Sequence, residues 1–304
     1  MSYLIKGASE LNGATKEFLI RERKIAYVAK KMGKEKAIEL NCGGFYIVPG
    51  SVAVDFSIAE SIDYLERKKK FIEWQRRGWT TILVVCPLQY ENDLRNCLKK
   101  IRHLMINSSV DYVIGVSFPM HKITPSFIRL CRREKVPFIY ATVIQENDWQ
   151  KVTWEWIRDA MFTYRLPIVP DLRDLALSSK QKMKCHERWL QYAAQIGLPT
   201  ISEFPQEDGL LKKEAIRKIG ISPYKGELRI GCDLDYSLYQ STSLVNPIQF
   251  LYDKESEPDV VVLRGKLMKA GETVYYRPGY GKEVVIRVPG YLASYKEDHE
   301  LSNH

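Results

Sequence analysis

Short apolar runs alternate with longer amphipathic segments between residues 50 and 210, and this alternation limits the possible fold more than any other feature. The apolar runs have the length of β-strands, and the segments between them have helical spacing. The pattern therefore predicts consecutive parallel β/α units. The predicted strands cover residues 51–56, 80–85, 111–118, 137–143, 166–169 and 199–204, and the predicted helices cover residues 61–77, 90–106, 124–135, 148–162 and 179–196.

The two ends of the chain have a different sequence pattern, which predicts short strands separated by turns. Before residue 50, strands are predicted at 3–6, 18–20, 24–29 and 37–40. After about residue 215 the alternating apolar residues and glycine turns return, which again predicts β-structure. The chain thus has a β/α middle between two β-rich ends.

Three short segments carry a family resemblance. Residues 44–50 read GFYIVPG, residues 78–88 read GWTTILVVCPL, and residues 225–235 read KGELRIGCDLD. They resemble the approach to the first barrel strand, the second strand and the closing signature of the amidohydrolase superfamily, in particular its dihydroorotase and cyclic-amidase branch. The resemblance is strong at 24–50, 78–88 and 215–240 and thin from about 111 to 200.

The resemblance implies a TIM-like β/α barrel with a small β-sandwich domain formed by both chain ends. Six predicted strands are fewer than the eight of a full barrel, so we expect a reduced or open barrel at 50–221. The composite sandwich is expected at 1–49 and 222–290, with a flexible tail at 291–304. Because unpaired parallel edges are costly, we expect an open barrel to be covered by a loop, a helix or a second copy, and we expect a homodimer.

The metal-binding strand of the superfamily carries an Asp followed by a His-x-His pair, and these residues are replaced in this chain. In the matching register, the Asp becomes Ala53, the first His becomes Asp55, and the second His becomes Ser57. Two later strands also lack the ligand types that the superfamily uses there: the predicted strand at 111–118 has no lysine, and the one at 137–143 has no histidine. One carboxylate is a weak zinc site, so we expect no metal and no other cofactor.

Four residues remain as catalytic candidates at the ends of predicted strands or just beyond them: Asp55, His121, Asp171 and Glu203. Three of them also have simpler interpretations. A single loop histidine is more often a surface residue. Asp171 and Glu203 are of the kind that cap helices or pair with lysines.

The composition limits which sites and which cellular compartment are expected for the chain. The six cysteines have no Cys-x-x-Cys spacing, which favours buried thiols over a zinc or disulfide framework. The N-terminus lacks the pattern of a signal peptide, and no long apolar run suggests a membrane span, so we expect a cytoplasmic protein. The formal net charge is +9, but much of it has helical spacing, as on solvated helix faces.

The leading hypothesis is an amidohydrolase-like protein that has lost the metal site and hydrolytic activity, a pseudoenzyme that binds a small molecule or a protein. The first alternative is an active cyclic-amide or related C–N hydrolase with a remodelled site. The second is a nucleic-acid-associated basic protein, which is disfavoured because no recognised nucleic-acid motif accompanies the charge.

Overall fold

The N-terminal strands form a sheet of their own. The computed structural model describes residues 2–33, 37–60, 63–241 and 257–290. The first four strands form a sheet of order β3-β2-β1-β4, in which β1 and β4 are parallel and the other pairs antiparallel. They coincide with the four predicted strands, and their bounds are β1 (Ser2–Lys6), β2 (Glu17–Arg21), β3 (Lys24–Ala29) and β4 (Ile38–Asn41).

The middle of the chain consists of β/α units, as the alternation predicts. Strand β5 (Phe45–Pro49) leads into them. They comprise β6 (Ser51–Asp55), α1 (Tyr64–Arg76), β7 (Trp79–Pro87), α2 (Leu94–Leu104), β8 (Asp111–Pro119), α3 (Pro125–Arg133), β9 (Ile139–Thr142), α4 (Trp154–Ala160), β10 (Ile168–Asp171), α5 (Ser179–Gln195), β11 (Gly209–Leu210) and α6 (Lys213–Ile219).

These strands form one curled, half-barrel sheet of order β10-β9-β8-β7-β6-β11. The strands β6 to β10 are parallel, and the short β11 is antiparallel to β6. Helices α1 to α5 pack on one face of the sheet, which we call the helix face. The opposite, inner face packs against α6. A mixed α/β fold with a reduced barrel-like sheet is thus confirmed.

A third sheet combines β5 with strands from the other end of the chain. Its order is β15-β14-β13-β12-β5, and all its pairs are antiparallel. It shares an apolar core with the N-terminal sheet, to which Ile5, Phe18 and Tyr236 contribute. The domain boundaries at 49, 222 and 290 remain a prediction, and the tail at 291–304 lies outside the described residues. The added strands are β12 (Tyr236–Gln240), β13 (Val260–Leu263), β14 (Lys266–Ala270) and β15 (Thr273–Val274).

Helix starts in the β/α region follow the local sequence. The Thr124 hydroxyl accepts a hydrogen bond from the Phe127 amide, and Pro125 occupies the first turn of α3, where its missing N–H costs nothing. At α5, Ser178 and Gln181 form a reciprocal capping box. These caps satisfy amides that the helix itself leaves unpaired, and so fix where each helix begins.

Three sequence expectations were wrong in detail. Residues 199–204 form no strand; only the Pro199 carbonyl, which accepts from the Ile168 amide, and the Thr200 hydroxyl join the edge of β10. The β-pattern predicted from residue 215 begins instead with helix α6. The predicted helix at 148–162 is split into a short 3₁₀ helix (Asp148–Lys151) and α4, because Val152 takes an extended backbone conformation and Thr153 another non-helical one.

The chain itself covers part of each edge of the half-barrel sheet. Pro199 and Thr200 bind to Ile168 of β10, and the two-residue β11 pairs with β6. The homodimer remains a prediction. None of the described helices has the length and apolar character needed to cross a bilayer.

Two cysteines depart from the expectation of thiols. The sulfur atoms of Cys86 on β7 and Cys97 on α2 are bonded, and their Cα atoms lie 6.3 Å apart. The spacing of eleven residues gave no sign of this pairing, because it depends on how α2 packs back onto β7. The other four cysteines are free and buried as expected: Cys42, Cys131, Cys185 and Cys232.

Candidate functional site

The carboxyl edge of the parallel strands is where β/α folds carry their sites. Two adjoining sets of side chains form one group there: Phe56, Tyr140 and Asp171 lie around Arg173, and Asp208 lies beside Asp55 and the Phe56 amide. We call this group the carboxyl-edge cluster, and it consists of Asp55, Phe56, Tyr140, Asp171, Arg173 and Asp208.

Arg173 is held in place from two directions. Its Nε and Nη2 atoms donate to the two carboxylate oxygens of Asp171 at 3.0 and 2.9 Å, a bidentate ion pair. Its guanidinium lies 4.1 Å from the ring centroid of Phe56 and 5.2 Å from that of Tyr140. A planar, delocalised cation suits this stacked position better than a lysine would. Its side chain is 34% exposed, so the cation borders solvent.

The inner face beneath Arg173 is filled by aromatic rings. The ring centroids of Phe138 and Tyr140 each lie 5.4 Å from that of Phe204. The Tyr140 hydroxyl is buried and has no hydrogen-bond partner among the described residues. Burial raises the pKa of Tyr140, so the phenol stays protonated. This face is therefore an apolar core up to the level of Arg173.

The residues aligned with the metal strand turn away from this inner face. Val52 and Val54 belong to the inner core, whereas Ala53 belongs to the core under the helices. Since side chains alternate along a strand, Asp55 shares the side of Ala53. Asp55 accordingly forms an ion pair with Lys70 of α1, 3.2 Å away.

The Asp55 carboxylate is already fully engaged. Its Oδ1 atom accepts from the amides of Ser57 and Ile58 at 3.0 and 2.7 Å and from the Ser57 hydroxyl at 3.1 Å. Lys70 also donates to that hydroxyl. Asp55 and Ser57 thus organise the turn from β6 towards α1 rather than opening onto the inner face.

Asp208 is a member of the cluster that sequence analysis missed. Its carboxylate accepts from the Phe56 amide at 2.9 Å. Burial raises the pKa of Asp208, and the neighbouring Asp55 carboxylate raises it further. A lone Asp in the Gln-Glu-Asp-Gly loop gives no sequence signal, because only the fold brings it beside the end of β6.

Of the four predicted catalytic residues, the structure brings Asp55 and Asp171 into the cluster and leaves the other two outside. His121 lies exposed in a 3₁₀ helix (Met120–Lys122) after β8. Glu203 is exposed and pairs with Lys212. Elsewhere, His103 and His186 lie on α2 and α5, and His299 and His304 fall outside the described residues.

The ligand set at the carboxyl edge does not fit a divalent metal centre of the kind the resemblance implies. Such centres use imidazole and free carboxylate ligands that point at one place. Here the Asp171 carboxylate is taken by Arg173, and that of Asp55 by backbone amides and Lys70. In the part of the chain that is described, ligand atoms of three acidic residues converge elsewhere, at Asp111, Asp233 and Asp235.

That acidic trio already contains a cation. The Lys225 ammonium lies 2.6, 2.9 and 2.7 Å from carboxylate oxygens of Asp111, Asp233 and Asp235, and its side chain is 2% exposed. Burial alone would lower the pKa of Lys225, but the three carboxylates raise it above its usual value. Arg264 also pairs with Asp111. The closing signature at 225–235 therefore builds an ion network at the amino end of β8, opposite the carboxyl edge.

Comparison with known proteins agrees with this architecture. A crystal structure of D-hydantoinase is 12% identical over 96% of this chain and 100% of that chain, with a TM-score of 0.67. The L-hydantoinase (dihydropyrimidinase) from Arthrobacter aurescens is 12% identical over 93% and 99% of the two chains, with a TM-score of 0.64. A β-aspartyl dipeptidase from Fervidobacterium islandicum AW-1 is 13% identical over 90% of this chain and 98% of that chain, with a TM-score of 0.51.

No protein-family model matches the sequence, and no curated protein matches it. At these identities the likeness concerns the fold alone, which is amidohydrolase-like. The predicted resemblance is thus confirmed at the level of the fold.

Proposed function

We propose that the chain is a binding protein of amidohydrolase-like fold that does not use metal-dependent hydrolysis. One observation carries the proposal. Ala53 and Asp55, which align with metal-strand positions, lie on the helix-face side of β6, and Asp55 is committed to Lys70 and two backbone amides. The inner face carries Val52, Val54 and Phe56 in their place.

The carboxyl-edge cluster is the proposed binding site. Arg173 borders solvent there, and two aromatic rings hold its guanidinium in a fixed orientation. A small molecule with a carboxylate or similar anionic group fits this place, because it would exchange for the Asp171 carboxylate in the bidentate pair. The apolar filling below limits such a ligand to the rim.

Metal content and hydrolysis test the proposal together. For protein purified without chelators, we expect far less than one zinc or manganese ion per chain by elemental mass spectrometry. We also expect no turnover of hydantoins, dihydropyrimidines or β-aspartyl dipeptides with either metal added, beyond the rate of an Asp55→Ala variant. The reason is that the carboxyl edge lacks a converging set of free ligands.

Site variants separate the possible results. Stoichiometric metal that is lost in Asp55→Asn would contradict the proposal, as would metal-dependent turnover lost in the same variant. Metal retained in Asp55→Asn but lost in Asp233→Asn would lie at the acidic trio and would leave the carboxyl edge as proposed. A matched Asp159→Asn variant, which changes an exposed acid on α4, controls for the loss of one negative charge.

A second candidate function rests on the carboxyl pair. Burial and the neighbouring Asp55 carboxylate raise the pKa of Asp208, and a carboxyl group with a raised pKa can act as a general acid. This arrangement would suit a C–N hydrolase with a remodelled site. Turnover that requires both Asp55 and Asp208 but no added metal would favour this second candidate.

The carboxyl pair also predicts a pH effect on stability. The folded protein holds the Asp208 proton more tightly than the unfolded chain, so this residue should add stability as the pH falls from 7 through its raised pKa. Asp208→Asn keeps an oxygen acceptor for the Phe56 amide and removes the charge. We expect urea denaturation to show a variant that is more stable at pH 7 and depends less on pH. An unchanged pH dependence would contradict the assignment, and Glu207→Gln is the adjacent control.

A further inference from the structure

The positive charge of the chain is concentrated in one part of it. Residues 63–135 hold fifteen Lys and Arg against seven Asp and Glu, a net charge of +8, while the whole chain has +9. This span includes helices α1, α2 and α3, which all lie on the helix face of the half-barrel sheet. The remainder of the chain is close to neutral.

The three helices are neighbours, so their outer sides form a continuous surface. The Phe71 carbonyl of α1 accepts from the Ser109 hydroxyl, which follows α2. Arg95 of α2 donates to Glu134, at the end of α3, at 2.8 Å. The three helices follow the neighbouring strands β6, β7 and β8, so they lie side by side along the helix face. Charges on all three helices therefore act together.

Nearby acidic residues neutralise only some of these cations. Glu73 pairs with Arg77, Glu134 with Arg95, and Glu283 with Arg102. Six other basic side chains on the three helices are exposed and have no ion-pair partner among the described residues. We call them the basic face, and they are Lys69, Arg76, Lys99, Lys100, Arg129 and Arg132.

We propose that the basic face binds the phosphate backbone of nucleic acid without reading its sequence. Exposed cations near one another repel, and a polyanion that replaces their counterions relieves this repulsion while releasing ions from both surfaces. The inference is independent of the proposed function, because the basic face lies on the outer helices and not at the carboxyl edge.

The chemistry of the surface favours nucleic acid over an anionic membrane. Membrane-bound amphipathic helices insert exposed apolar side chains into the bilayer. On α2 and α3, the exposed positions carry charged or polar residues. On α1, the large exposed hydrophobic side chains are Tyr64 and Leu65 in the first turn, before Lys69 and Arg76. The regular phosphate charges of a nucleic acid match such a surface without any apolar insertion.

The six cations set the expected strength of the salt dependence. If each neutralises one phosphate of a duplex, the slope of log K against log salt is about −5. Affinity would then fall about 1000-fold between 50 and 200 mM salt. The affinity of a variant with two of the six cations left would fall only about 10-fold over the same salt range.

Fluorescence anisotropy with labelled 25-nucleotide DNA, single-stranded and duplex, tests the proposal. The test variant replaces Lys99, Lys100, Arg129 and Arg132 by Gln. The control variant replaces Arg21, Lys24, Lys30 and Lys31, which are exposed at the N-terminal sheet, also by Gln. Both variants lose four positive charges, so they have the same net charge. Thermal denaturation first establishes that each variant folds.

We expect wild type and the control to bind both DNAs at 50 mM salt with similar affinity, and the test variant to bind at least tenfold more weakly with a shallower salt slope. Equal losses in the two variants would overturn the proposal, since net charge alone would then explain binding. Absence of wild-type binding at 50 mM salt would also overturn it. Binding to phosphatidylserine vesicles without binding to DNA would assign the basic face to membranes instead.

Discussion

Replacing Lys225 by Met is expected to lower the free energy of unfolding by about 3–5 kcal/mol, the cost of breaking a buried ion network by removing one partner. The ammonium is shared by Asp111, Asp233 and Asp235, and its side chain is 2% exposed. Met has a similar length but offers no donor, so the carboxylates would face one another inside the protein. Urea denaturation at pH 7 measures the loss.

The same variant should also introduce an effect of pH on stability between pH 7 and 5. In wild type the raised pKa of Lys225 keeps its contribution constant below about pH 10, since it is lost only as the pH rises through the folded pKa. Without the ammonium, mutual repulsion raises the carboxyl pKa values in the folded state, so stability should increase as the pH falls from 7 to 5.

A matched exposed pair provides the control for Lys225. Lys16→Met removes the ion-pair partner of Glu10 at the surface. We expect this change to lower the free energy of unfolding by less than about 1 kcal/mol. If Lys225→Met were no more costly than Lys16→Met, the network would not hold the fold together.

Gly115→Ala is expected to destabilise the protein by about 3 kcal/mol, because the inner face has no room for another carbon. A Cβ atom at Gly115 would lie 1.7 Å from Cε1 of Phe138, a ring that is 0% exposed and cannot swing out to solvent. The change tests whether the inner face of the half-barrel is packed as described. Thermal and urea denaturation measure the effect.

Two further variants test whether the loss of stability in Gly115→Ala comes from the clash with Phe138. Gly33→Ala adds the same carbon where nothing lies within 4 Å, and should change stability by less than about 0.5 kcal/mol. Phe138→Leu removes the clashing ring, so combining it with Gly115→Ala should cost less than the sum of the two changes. Simple additivity would show that Gly115 and Phe138 do not compete for space.

The sequence predicted the β/α order and the strands β6 to β10, because their apolar runs are long and regularly spaced. It failed at residues 199–204, where apolar Ile201 and Phe204 suggested a strand. Those side chains instead fill the inner core from an irregular segment. The two-residue strand β11 is too short to leave a pattern.

The candidate site was harder to predict. Val52, Ala53 and Val54 are all buried, so hydrophobicity cannot distinguish the two faces of β6, and the orientation of Asp55 was not readable. Asp171 was found because it ends a strand, but its partner Arg173 was not. Asp111 and Lys225 are 114 residues apart, and only the fold brings them together.

The beginning of β8 depends on the last third of the chain. Asp111 is held by Lys225, by the Arg264 guanidinium and by the Lys282 amide at 2.8 Å. A fragment that ends near residue 221 would retain this buried acid and lose all three of its donors. Expressing the β/α region alone should therefore yield insoluble material, and the two parts are better studied by co-expression than by truncation.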